Sequence, residues 1–332
     1  MGVLSRLRAE HLLARLVTGA LFVSVMAGAW DAWWHGVIGR ESFWSPPHIL
    51  LYASTMTAVL GAVIGWWQHR SSLWKRLAIV LLLVPASAPF DELWHRAFGV
   101  ESIGSPIIVW SPPHLVLIGA LLGGLLMLLP ILARDPDPVS KHLFMGMGLA
   151  AALELAMFPL APFLPTGPWH MLGFWGTAPQ AAAFALILLV GIRMMPGPGA
   201  AMTIAAASLL LQAMTFGEQF GNASLVPPHP HPPGWLVVFS VMAAALAVDM
   251  TSRWPAWLKG ALAGFVWSAI LYGAGRAFVP PEFSYGVEAA ATAVVAAAVG
   301  GVIAGAGLGA LTMNISGKAA GVSATFPLGR GR

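Results

Sequence analysis

The 332-residue chain contains no cysteine. Disulfides, iron–sulfur clusters and thiolate zinc sites are therefore excluded. Any metal must be held by histidine, carboxylate, methionine or water. Charge is scarce as well. Asp, Glu, Lys and Arg supply 9% of the residues against 58% hydrophobic ones, where a soluble domain carries about 25% charged residues. With a mean hydropathy of +0.78, the composition excludes an ordinary soluble domain. A formal charge of +4 remains. Its lysines and arginines sit between apolar runs, not along one wet face, and so leave no footprint for nucleic acid.

What is present is a series of apolar runs of about 17–25 residues, the length that crosses a bilayer as helix. Ten spans are expected, at 16–34, 48–67, 77–95, 113–133, 143–160, 179–195, 200–217, 235–250, 260–275 and 287–310. The fold class is thus an all-α polytopic integral membrane protein of about ten transmembrane helices with repeated helical hairpins. Basic residues sort the connections. Arg6, Arg8, Arg15, Arg70, Lys75, Arg76, Arg134, Lys141, Arg193, Arg253, Lys259, Lys318, Arg330 and Arg332 fall on one side, and only Arg40, Arg96 and Arg276 on the other. The positive-inside rule then makes both termini cytoplasmic. The expected location is the cell inner (plasma) membrane, with the loops 161–178 and 218–234 on the periplasmic, outer side. The segments are a basic N-terminus at 1–15, a duplicated two-hairpin unit at 16–133, a second membrane half at 143–310 and a flexible cytoplasmic tail at 311–332. The first apolar run resembles a cleavable signal peptide. Cleavage after Ala27-Gly28-Ala29 would discard the helix that presents Asp31, so this helix is expected to be retained.

One pattern occurs twice. Asp31-Ala-Trp-Trp-His35 leads through Glu41 to Trp44-Ser-Pro-Pro-His48, and Asp91-Glu-Leu-Trp-His95 leads through Glu101 to Trp110-Ser-Pro-Pro-His114. Asp and His four apart share one helix face. Ser-Pro-Pro reads as a helix start, with Ser as N-cap and proline where no amide donor is needed. Each hairpin can therefore bring one carboxylate and two imidazoles together at its outer end. Ionisable groups at membrane depth point to function more than to packing. The bland alternative is a duplication kept for architecture alone, as in transporters built from repeats. Two imidazoles and a carboxylate suit copper, zinc or non-haem iron(II). Glu41 and Glu101 either orient a histidine ring by hydrogen bonding, the preferred reading, or add a ligand oxygen.

The first copy, Asp31-x3-His35-x12-His48 with Arg40-Glu41, Phe43 and Pro46 between, resembles the C subunit of the particulate methane and ammonia monooxygenases. The resemblance implies a copper ion held by Asp31, His35 and His48. It also implies a neighbouring site onto which Asp91, His95 and His114 map. There the family has Asn in place of the acid, and the spacing to the last His is longer in this chain. The match covers about residues 30–120. The resemblance further implies an oxygenase component acting on a small apolar substrate or ammonia, working with additional membrane subunits and a cupredoxin-like subunit. The residues leave another class open: a metal-handling or transport protein that uses the two Asp/His/His sets as binding stations. Few ionisable groups lie inside the spans to line a path for transport.

The second half carries a weaker echo. Glu154 precedes a loop holding His170, and Glu218 precedes Pro227-Pro-His229-Pro-His231-Pro-Pro. These are accessory candidates that could gather an ion on the outer side, with a rigid solvated loop as the equal alternative. His11, His69 and His142 lie with the basic ends and read as headgroup contacts. Gly301-x3-Gly305-x3-Gly309 reads as a close-packing face, for a helix of this chain or of a partner.

Overall fold

The computed structural model describes residues 3–38, 44–98, 110–163, 173–211, 234–251, 253–277 and 287–323. The side chain of His35 is outside that description, as are Glu41, Glu101, His170, Glu218, His229 and His231 altogether. The described residues form α1 (Val3–Val37), α2 (Pro46–His69), α3 (Ser72–Phe98), α4 (Pro112–Ala133), α5 (Pro138–Met157), α6 (Gly173–Met194), α7 (Ala200–Leu211), α8 (Gly234–Met250), α9 (Ala256–Ser268) and α10 (Val287–Ser323). No strand occurs among them. Each expected span overlaps one of these helices, and residues 212–217 of the span at 200–217 lie outside the described residues.

Among the described residues, seven stretches have the length and composition to cross a membrane: Leu7–Asp31, Pro46–His69, Ser72–Phe98, Pro112–Ala133, Pro138–Leu160, Thr177–Met194 and Val287–Ala310. The described parts of α7, α8 and α9 are shorter. α9 runs on through a π-turn at Ala269–Gly273 and a 3-10 turn at Ala274–Ala277. Two boundaries differ from expectation. The basic N-terminal stretch is already helical from Val3, and α10 continues past 310 to Ser323. Hydropathy reports where lipid ends, not where backbone hydrogen bonding ends. No proline interrupts either extension, so the helix persists beyond the apolar depth. Residues 311–323 of the expected flexible tail are therefore helical.

The first five helices close on themselves. α1 packs on α2 and α5, α3 on α2 and α4, and α4 on α5. Their shared interior is Leu-rich, with Leu21, Leu77, Leu81, Leu121, Leu125, Leu128 and Leu149 fully buried. In the second half α10 packs on α6 and α9, while α8 joins α7 to α9 and α7 leans on α5. Large apolar side chains also cover the outside: Leu60, Ile79, Phe90, Leu93, Val295 and Ile303 are all exposed. A surface this apolar belongs against hydrocarbon, not water. Exposed tryptophans lie towards both ends of α2, Trp44 at one and Trp66 and Trp67 at the other, as an interfacial aromatic belt would place them.

The glycine face of α10 is used within the chain. A Cβ at Gly301 would overlap the carbonyl of Gly260 on α9, and one at Gly305 the carbonyl of Ala256. Gly300 meets the backbone of Ala178 on α6 in the same way. Gly309 has open space at its Cβ position. Close approach of backbones is what small residues allow when lipid removes the hydrophobic drive between helices.

A second tie links α1 to the turn between α4 and α5. Arg15 donates Nε and one terminal nitrogen to the two oxygens of Asp135, both at 2.7 Å. The Arg15 guanidinium holds the Asp135 carboxyl below the usual aspartate range, against a smaller opposing push from burial. A carboxyl depressed on folding adds stability above its unfolded pKa of about 3.9, and loses it as pH falls through the lower folded value. Asp135→Asn is expected to lower stability at pH 7 by about 1–3 kcal/mol. The deficit should begin to shrink below about pH 3.9, where the unfolded carboxyl takes up its proton, and close as pH falls through the lower folded value. Thermal melts in detergent from pH 7 to 3 measure both.

Candidate metal centre

Asp91 is placed by an interrupted helix. Pro85 and Pro89 lie inside α3, and neither can donate to the carbonyl four residues back, so the backbone is loosened just ahead of the motif. The Ser87 hydroxyl donates to the Val84 carbonyl at 2.8 Å. The helix then continues to Phe98 with Asp91 and His95 one turn apart. Opposite them α4 begins. Ser111 is its N-cap, and its hydroxyl accepts the His114 amide at 3.3 Å. Pro112 and Pro113 fill the first turn. His114 is thus fixed by its own amide in the turn that faces α3.

The three side chains converge. Asp91 Oδ1 is 3.1 Å from His114 Nε2 and 3.5 Å from His95 Nε2. One ligand atom from each residue lies within 4.8 Å of the others. The two imidazole centroids are 5.5 Å apart. Asp91 is 5% exposed and His95 8%, so water does little to shield the carboxylate. The distances are those of ion pairs between the carboxylate and the two rings. Two nitrogens and one oxygen this close together could hold a metal ion, and the donor set suits a divalent transition metal.

The walls are aromatic. Phe158, just beyond α5, meets the His114 ring edge-on at a centroid distance of 6.5 Å. Trp94 packs on Phe98 at 4.4 Å. Trp110 Nε1 donates to the Pro159 carbonyl at 2.9 Å, tying the start of α4 to the end of α5. Glu154 lies one helical turn before Phe158 and is partly buried, but it is not one of the converging ligand groups among the described residues.

The first copy of the motif is built alike. Asp31 and His35 both lie on α1, and His48 on the first turn of α2. His48 Nε2 is 3.2 Å from Asp31 Oδ2, so the hairpin brings acid and second imidazole together. The hairpin is pinned by Ser24 and Thr55, whose hydroxyls are 2.7 Å apart. The caps differ, however. Ser45 is the N-cap of α2 but makes no side-chain cap bond, and its hydroxyl is buried without a partner among the described residues. Ser111→Ala is therefore expected to cost about 1 kcal/mol and Ser45→Ala close to nothing. Melting temperatures of the two variants, compared with the native chain, test the difference.

Sequence reasoning missed the surroundings of His48. An apolar groove of about 240 Å³ is lined by Trp44, His48, Ile49, Tyr52, Ala53 and Met56. The signal was the spacing: 44, 48, 52 and 56 form one stripe of α2. The His69 ring stacks on Trp74, with centroids 6.4 Å apart and planes at 23°.

Comparison with protein-family models, curated proteins and solved structures finds no match to this chain.

Proposed function

We propose that this chain is a membrane metalloprotein in which Asp91, His95 and His114 hold one ion and Asp31, His35 and His48 a second. Copper is the ion we assign, with iron or zinc as the other ions that such ligands suit. The observation that carries the reading is the convergence of three ligand atoms within 4.8 Å on a buried carboxylate. An unneutralised acid at that depth is costly, and a cation with two imidazoles offsets it. When bound, copper would supply redox chemistry with dioxygen. Around it the chain's own residues position and exclude. Asp91 sets the local negative charge, the two imidazoles present Nε2, and Phe158 against the His114 ring limits water. We further propose ten spans, both termini on the cytoplasmic side, and the two triads on the outer side of the plasma membrane. The fourteen-to-three division of basic residues supports that orientation. The resemblance in residues 30–120 supports an oxygenase component for a small apolar substrate or ammonia, working with additional membrane subunits and a cupredoxin-like subunit.

The test is metal content. The chain purified in lipid should carry about one ion per triad, read by mass spectrometry, and His114→Ala should lose one of them. Absence of metal from the native chain, or the same content in the variant, rejects the ligand assignment. Oxygen uptake with small hydrocarbons or ammonia then tests the oxygenase reading separately, and metal flux into liposomes tests transport.

A further inference from the structure

At the end of the bundle away from the triads lies a second pocket, of about 300 Å³, between α1 and the α4–α5 turn. It is lined by Arg8, His11, Arg15, Asp135, Pro136 and Asp137. Arg8, His11 and Arg15 are spaced three and four apart, on one face of α1. Their roles differ. Arg15 is committed to Asp135 through two hydrogen bonds. Asp135 also accepts the Asp137 amide, and Asp137 accepts the Val139 amide and the Ser140 hydroxyl. Both carboxylates are thus satisfied by the pocket's own wall. Two groups remain for a ligand. Arg8 is exposed, and His11 Nδ1 is buried with no hydrogen-bond partner among the described residues.

A guanidinium beside an imidazole nitrogen, with the neighbouring carboxylate oxygens already taken up by Arg15, backbone amides and Ser140, is a receptor for a tetrahedral oxyanion. We infer that this pocket binds a phosphate group, either of a phospholipid headgroup or as free phosphate. Depth favours the headgroup. The expected span of α1 begins near residue 16, so Arg8 and His11 stand just beyond it on the same helix, where headgroup phosphates lie. This does not rest on the metal reading.

The experiment uses the full chain in detergent, titrated with phosphatidylglycerol or phosphatidylcholine and read by native mass spectrometry. Phosphatidylglycerol should be retained preferentially, because choline shields its own phosphate. The double variant Arg8→Gln/His11→Gln should bind it roughly tenfold more weakly, the scale of one lost charge-assisted contact. Arg76→Gln removes an exposed arginine near the start of α3 and should leave retention unchanged. Inorganic phosphate is added as a competitor. Displacement of the lipid at millimolar phosphate supports a site open to the free anion, and retention of the lipid supports a headgroup site. If the double variant fails to fold, Arg8→Gln alone carries the comparison. Equal retention in the Arg8 and Arg76 variants overturns the inference, since general surface charge would then account for all binding.

Discussion

Asp91→Ala is expected to strip the metal from its triad and, at the same time, to make the metal-free protein more stable. The two effects have opposite signs because the carboxylate has opposite consequences in the two states. With an ion present, Asp91 supplies both a ligand atom and the neutralising charge. Losing it should weaken binding by more than the 10–100-fold that loss of a ring-orienting partner typically costs. Without an ion, a carboxylate that is 5% exposed faces two imidazoles at 3.1 and 3.5 Å in place of water or a full positive charge, and its removal relieves a penalty of a few kcal/mol. Asp91→Asn should fall between, retaining an oxygen but not the charge. Competition with a chelator of known affinity gives the first quantity, and melts after chelation give the second. A metal-free alanine variant that melts below the native chain would mean that Asp91 is held by protein contacts and is not arranged for an ion.

The second large effect is expected at the α9–α10 contact, where one substitution should act in opposite directions along a single helix. Gly301→Ala places a methyl group on the Gly260 carbonyl, and backbone cannot yield as a flexible side chain does. The helices must separate, at a cost of roughly 3 kcal/mol or more. Gly307→Ala, with nothing within 4 Å of the added atom, should gain about 0.5–1 kcal/mol from helix propensity alone. Gly301→Leu should prevent accumulation of folded protein. Detergent melts and yields of monodisperse protein distinguish these cases. Equal responses at 301 and 307 would show that the two backbones are not in contact.

The helices are legible in the sequence because lipid enforces a simple rule: a long apolar run must satisfy its own backbone. The triad at Asp91, His95 and His114 is legible because the motif occurs twice, with Ser-Pro-Pro announcing the helix start each time. Other features escape for identifiable reasons. The Arg15–Asp135 tie joins residues 120 apart in sequence, and no local pattern encodes such a pairing. The unequal caps of Ser45 and Ser111 arise from the same tetrapeptide, so only tertiary surroundings separate them. The start of α1 and the end of α10 lie beyond the reach of hydropathy, which senses solvent and not hydrogen bonding.

Asp249, at the end of α8, has its own consequence. Its two oxygens accept the amides of Ala201 and Met202 at the start of α7, each at 3.1 Å. An opening turn of helix leaves amides with no partner in its own ladder. With a carboxylate lent by its neighbour, two of those donors are met, and the start of α7 is tied to the end of α8. Removing that one acid would leave the first turn of α7 to find other acceptors or unwind.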